Sequence, residues 1–191
     1  MAKKSSKGYA ARLDVDYPDR LNRLTTFFRP ILIIPIAIIG KLLASGLAFA
    51  TLLMIVFRLK YPRWWFDFAR EMARFNTRVG AYAALLTDAY PSTTKDQAVH
   101  LDIDYPDADK DLSRWMPLVK WFLAIPHYVI LAILWLFAVI AIVIAWFAIL
   151  ITGRYPKGLF VYVVGVMRWT LRVSAYVSLL VTDQYPPFSV G

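Results

Sequence analysis

Two long apolar runs set the frame of the chain. From 121 to 152 no residue carries a formal charge when His127 is neutral, and neither Pro nor Gly occurs from 128 to 152. That exceeds the ~20 residues needed to cross a hydrocarbon core of about 30 Å. The pattern predicts one continuous spanning helix over 128–152. An interfacial approach over 112–126 precedes it, with Pro126 at the bend. Trp115, Trp121 and Tyr128 suit the headgroup level. The earlier run, 31–57, is interrupted by Gly40-Lys41 and Gly46. A helix starting near Pro35 puts Lys41 about 9 Å in at ~1.5 Å per residue, shallow enough to snorkel. The alternative is an intramembrane ionisable site, but the matching position later in the chain is Ala132.

The segments that follow these runs read differently. Within 64–86, Asp67, Arg70, Glu71, Arg74 and Arg78 recur at i, i+3, i+4, i+7 and i+11, one charged stripe of a helix. Trp65, Phe68, Met72, Phe75 and Val79 fall towards the other side. A charge at mid-membrane costs roughly 2.5–3.5 kcal/mol, against ~0.3–0.6 kcal/mol gained per large apolar residue. The stripe therefore predicts an amphipathic helix lying in the interface. Its later counterpart, 158–181, keeps only Arg168 and Arg172 on that stripe and is assigned to the surface by analogy.

That analogy rests on an internal repeat. Leu13-Asp14-Val15-Asp16-Tyr17-Pro18-Asp19 returns as Leu101-Asp102-Ile103-Asp104-Tyr105-Pro106-Asp107. Arg23, Arg29 and Pro35 match Arg114, Lys120 and Pro126, and Arg74-x-x-x-Arg78 matches Arg168-x-x-x-Arg172. Each copy closes on Thr-Asp-x-Tyr-Pro, at 87–91 and 182–186. The chain divides into a basic tail (1–12), a first membrane unit (13–92), a linker (93–100) and a second unit (101–191). The expected fold is an all-α integral membrane protein: a tandem repeat of a transmembrane helix plus an amphipathic interfacial helix, with short extended Asp-Tyr-Pro segments. One crossing per copy would place the two units in opposite orientations. Two crossings per copy is the alternative. Flanking Lys and Arg residues divide almost evenly, eleven against ten, so they do not orient the chain.

Tyr-Pro occurs six times. Proline removes a donor and pushes the residue before it out of helical geometry, and tyrosine favours the membrane–water boundary. The pair reads as an architectural helix stop. The alternating Leu-Asp-Val/Ile-Asp runs read as short strands whose partner is either a Tyr90 or Tyr185 end or the other copy. Their carboxylates, Asp14, Asp16, Asp19, Asp102, Asp104, Asp107 and Asp109, lack EF-hand spacing and a glycine turn. A solvated face, or pairing with basic stretches, is expected in place of Ca²⁺, so no metal is assigned.

Composition agrees with a membrane setting. The chain has 191 residues, is 59% hydrophobic and only 18% charged, and carries a formal net charge of +9. An anionic lipid surface fits that charge better than nucleic acid, because the basic residues flank apolar segments. The absence of cysteine excludes disulfides and thiolate chemistry. His100 and His127 sit in unrelated settings, and no His-x-x-x-His, Gly-x-Ser-x-Gly or phosphate-cradling glycine loop is present. No catalytic residue and no cofactor are assigned. The residues expected to contact a ligand are Arg74, Arg78, Arg168 and Arg172, whose guanidinium forks suit lipid phosphate. Headgroup solvation, or pairing with Asp88 and Asp183, is the bland alternative.

Three stretches carry a family resemblance. They are Lys120-Trp121-Phe122-Leu123-Ala124-Ile125-Pro126-His127-Tyr128, the run from Trp146 to Pro156, and Thr182-Asp183-Gln184-Tyr185-Pro186-Pro187-Phe188. They resemble the bacterial membrane family called domain of unknown function 4389. The first copy is degenerate, with Ile36-Ala37 where the second has His-Tyr. The resemblance implies a multi-pass protein of the bacterial inner membrane and brings no catalytic residues. The expected role is non-catalytic: a lipid-organising protein, or an accessory subunit with other membrane subunits or further copies of itself as partners. An oligomeric transporter or channel is the alternative.

Overall fold

A computed structural model describes residues 8–93, 96–108 and 112–191, without the side chains of 41–45. Lys41, Lys95 and Asp109 therefore lie outside what is described. Strand β1 (Ala11–Val15) leads into helix α1 (Arg23–Arg58), which turns back as α2 (Arg63–Ala83). Strand β2 (Val99–Ile103) leads through the short α3 (Met116–Leu123) into α4 (Ile125–Thr152), which turns back as α5 (Lys157–Val177). The expected all-α fold is thus mainly helical with one two-stranded sheet. Both strands start two residues ahead of the repeat boundaries drawn at 13 and 101.

Local chemistry sets the ends of these elements. Asn22 caps α1, its Oδ1 accepting from the Leu24 N–H at 2.9 Å. Pro30 and Pro35 lie inside α1 without ending it. Pro126 does mark a break, separating α3 from α4 at Ala124. α4 ends on Gly153 at φ 72°, and α1 ends on the equivalent Leu59 at φ 49°. Glycine adopts that left-handed cap freely, whereas leucine carries some strain there.

The closing helices do not turn away from the long ones as the one-spanning, one-interfacial pattern requires. α2 runs antiparallel along α1. The Trp65 indole donates to Thr51 Oγ1 at 2.9 Å, Ile36 packs with Phe75 and Val79, and Arg29 lies over the Tyr82 ring at 4.4 Å. The second half repeats the arrangement: Trp135 donates to Thr170 Oγ1 at 3.0 Å and the Tyr162 hydroxyl to the Leu134 carbonyl at 2.9 Å. The physical reason is burial. The apolar sides of α2 and α5 gain more against a neighbouring helix than at a surface. α5, expected at the surface, is the most enclosed long helix, with twelve of its 21 residues buried against six of 28 in α4.

The two hairpins lie head to tail. The Leu21 N–H donates to the Gly153 carbonyl at 2.9 Å and the Trp146 indole to the Thr26 carbonyl at 3.0 Å, so the open end of the first hairpin meets the turn of the second. Conversely, the Tyr61 hydroxyl donates to the Leu179 carbonyl at 2.9 Å.

The strand partner is the other copy. β1 and β2 pair antiparallel with Leu13 opposite Leu101, and these two leucines are also equivalent in the repeat. A local twofold therefore passes through that pair. Matched bonds agree with it: Asp16 N–H to the Ala98 carbonyl and Asp104 N–H to the Ala10 carbonyl, each 2.9 Å. Ala11, Leu13, Val15, Val99, Leu101 and Ile103 are buried on one face, and polar residues alternate outward. Each strand covers the closing helix of the opposite half, β1 on α5 and β2 on α2. The outcome is three layers: the sheet, then α2 with α5, then α1 with α4.

Candidate functional site

The Thr-Asp-x-Tyr-Pro closings build the most constrained polar groups. Asp88 accepts from the Asn22 N–H at 2.7 Å and pairs with Arg29, which is 1% exposed. Arg29 also donates to the Thr87 carbonyl at 2.8 Å. The second half matches: Asp183 accepts from the Ser113 N–H at 2.6 Å, and Lys120 Nζ lies 2.7 Å from its other oxygen. Lys120 donates to the Thr182 carbonyl at 2.7 Å and sits over the Tyr176 ring. Burial pushes the Lys120 ammonium below its ordinary pKa, while Asp183 opposes that shift. The first clamp ties the end of α2 to the start of α1, and the second ties the segment after α5 to α3, just ahead of α4. The repeat had marked all four positions, as Arg29 matching Lys120 and Thr-Asp matching Thr-Asp. Their partnership is not legible in the sequence, where Asp88 and Asp183 match the arginine pairs of α2 and α5 equally well.

The four arginines expected to contact lipid are occupied by backbone. Arg168 Nε donates to the Leu13 carbonyl at 2.8 Å, and Arg74 Nη2 reaches the equivalent Leu101 carbonyl at 3.4 Å. Arg74 also pairs with Glu71 at 2.7 Å, and Arg168 with Asp14 at 3.4 Å. Arg78 donates to the Ser92 carbonyl at 2.6 Å, and Arg172 to the Ser189 and Gly191 carbonyls, each at 2.9 Å. The two pairs stay on their own helices: Arg74 and Arg168 bond the centres of the strands, and Arg78 and Arg172 bond the segments that follow α2 and α5.

The acidic strand face is likewise paired. Asp104 takes a bond from Arg12 at 2.7 Å, Asp102 also pairs with Arg12, and Asp16 lies 2.9 Å from His100 Nε2. No group of three metal-ligating side chains occurs among the described residues. Tyr-Pro proves architectural in a more specific sense than a headgroup anchor. The Tyr105 hydroxyl donates to the Tyr61 carbonyl at 2.7 Å, and the Tyr17 hydroxyl to the equivalent Tyr155 carbonyl. Tyr61 and Tyr155 are buried, and burial raises the pKa of both phenols.

His127 is also buried. Its Nδ1 accepts from the Trp169 indole at 3.1 Å, which leaves the proton on Nε2, and its ring stacks on Phe188 at 4.1 Å. A cavity of about 480 Å³ lies between α2 and α5, where Ala73, Gly80 and Ser174 leave room beside Trp135 and Met167. Asn76, Thr77 and Thr170 give it a few weak polar groups and no nucleophile–base pair.

The other candidate surface is apolar. α1 exposes Leu24, Phe27, Ile31, Ile34 and Ile38, and α4 exposes Val129, Ile133, Leu136, Ile140, Phe147 and Ile151. Trp115 and Trp121 are exposed nearby. Among the described residues three helices are long and apolar enough to cross a membrane: the first part of α1, α4 and α5. The exposed apolar residues of α1 and α4 thus lie on the layer farthest from the charged sheet.

Two stretches of the chain, residues 23–95 and 114–189, match the family model described as Domain of unknown function (DUF4389). The chain belongs to this family. The two matches cover most of both hairpins and confirm the two copies read from the repeat. They start after each strand, so the sheet that joins the halves lies outside the DUF4389 matches. No curated protein and no solved structure matches the chain.

Proposed function

We propose that this protein is a non-catalytic membrane scaffold that beds its α1–α4 layer in lipid, holds its sheet in water and organises anionic lipid or supports a larger membrane complex. One observation carries this reading: the charged sheet stands level with the middle of the long helices. Arg74 and Arg168, at mid-length of α2 and α5, hold the centres of the two strands, and Ile36 near the middle of α1 packs on Phe75. Were α1 and α4 to stand across a bilayer, the sheet would lie at mid-membrane. Arg12, Asp14, Asp16, Asp102 and Asp104 would then sit at that depth, each at a cost of roughly 2.5–3.5 kcal/mol. The linker between the hairpins would also have to cross, because the open end of one hairpin adjoins the turn of the other. Laying both long helices in the plane of one leaflet removes both penalties. The cytoplasmic membrane of a bacterium is the membrane the family resemblance suggests.

A second reading is supported by α4, whose exposed apolar positions extend over more of its circumference than one leaflet-facing side needs. In that reading the helices cross, and several copies turn their sheets towards a shared aqueous interior, as an oligomeric transporter or channel would.

Side-specific labelling separates the two. The chain has no cysteine, so single cysteines at Asp14, Lys60, Asp102 and Lys157 can be probed with an impermeant maleimide in oriented vesicles. The in-plane reading expects all four to react from one side. Reaction of Lys60→Cys and Lys157→Cys from opposite sides would overturn it and favour the crossing assembly.

A further inference from the structure

One corner of the molecule gathers positive charge that no carboxylate among the described residues pairs with. Arg20, Arg23 and Arg154 line a cleft of about 370 Å³ together with Leu21, Thr152 and Gly153. Here the segment after β1 crosses the end of α4, fixed by the Leu21 N–H bond to the Gly153 carbonyl at 2.9 Å. Gly153 lines the cleft. A Cβ there would stand 3.7 Å from Arg23 Nε and 4.0 Å from its Nη2, and the φ of 72° suits glycine. Among the described residues none of the three arginines has a carboxylate within ion-pair distance, in contrast to Arg12, Arg29, Arg74 and Arg168. All three arginines are exposed at the cleft, where an anion can accept from their guanidinium forks.

By the repeat, the positions of Arg23 and Arg154 correspond to Arg114 and Lys60, while Arg20 falls where the two copies differ in length. The corner also borders the apolar layer, with Leu24 and Phe27 exposed on α1 and Ile151 exposed on α4. A cationic cleft opening beside exposed hydrocarbon matches a molecule with a phosphate head and apolar tails.

We propose that Arg20, Arg23 and Arg154 form a phosphate-binding site, taking the headgroup of an anionic phospholipid or a free phosphate. The lipid alternative rests on the membrane placement proposed above; the phosphate chemistry does not.

The test uses the full chain purified in mild detergent, with native mass spectrometry after addition of phosphatidylglycerol or phosphatidylcholine, and calorimetry with inorganic phosphate. Wild type is expected to retain phosphatidylglycerol in preference to phosphatidylcholine. The Arg20→Gln/Arg154→Gln double variant should lose that preference at least tenfold, whereas the Lys60→Gln/Arg114→Gln double variant, the same charge change at the opposite corner, should keep it. Circular dichroism checks that each variant is folded. Binding of inorganic phosphate that needs the same arginines would identify the free-phosphate source; phosphatidylglycerol retention without it would identify the headgroup. Equal retention by wild type and the double variant, or no binding of either ligand by wild type, would overturn the site. The labelling pattern of the proposed placement is read separately, so failure of one leaves the other standing.

Discussion

At the scale of single residues, the two clamps and the exposed strand carboxylates make opposite demands. Asp88 faces a buried guanidinium and a backbone N–H, so Asp88→Asn leaves Arg29 without its counter-charge. Breaking a buried pair in this way costs about 3–5 kcal/mol, and Asp183→Asn is expected to fall at the low end because Lys120 can neutralise. Asp14→Asn, at an exposed pair, should change stability by less than about 1 kcal/mol; chemical unfolding in detergent measures all three. Tyr61 gives a pH signature. Burial raises its phenol above the ordinary value of 10.0, so the folded state keeps the proton where the unfolded chain releases it. Its contribution is complete below that ordinary value and is lost as pH rises beyond it. Unfolding midpoints should therefore fall less steeply at alkaline pH in Tyr61→Phe than in wild type.

Among the elements, close approaches decide which parts can shift. A Cβ on Gly165 of α5 would meet the Val190 carbonyl oxygen at 2.6 Å, a backbone contact of the terminal segment that Arg172 also holds. A Cβ on Gly40 would meet Asn76 Oδ1 at the same 2.6 Å, but that atom ends a rotatable side chain. Gly165→Ala is thus expected to release the terminal segment and speed its proteolysis several-fold, while Gly40→Ala leaves α1 and α2 packed. Equal protease resistance in both would show that the terminal segment is not held by this contact.

For the whole molecule, the exchange of strands makes each half depend on the other. β1 covers α5 and β2 covers α2, with Arg168 and Arg74 reaching across to Leu13 and Leu101. Residues 97–191 expressed alone would leave α5 without β1, its buried face open to water or lipid. The two halves co-expressed are expected to copurify as one folded complex, and each alone to be degraded or aggregated. Independent folding of the second half as a monomer would contradict this dependence.

Much of this was legible in the chain itself. The repeat, both long helices, the break at Pro126, the strands and the family follow from local periodicity and from motifs recurring in order. Such features depend on neighbours a few residues apart. What the sequence could not decide was the direction of the closing helices and the partners of the buried cations. The five-charge stripe of α2 says that one side needs polar company; water, headgroups and a strand from the other half all satisfy that need equally well on paper. Similarly, Arg29 and Asp88 lie far apart in the chain, and only the antiparallel hairpin brings them together. Tertiary structure decided these points because the apolar faces of α2 and α5 found more burial against neighbouring helices, and that packing carried the sheet to the level of their midpoints.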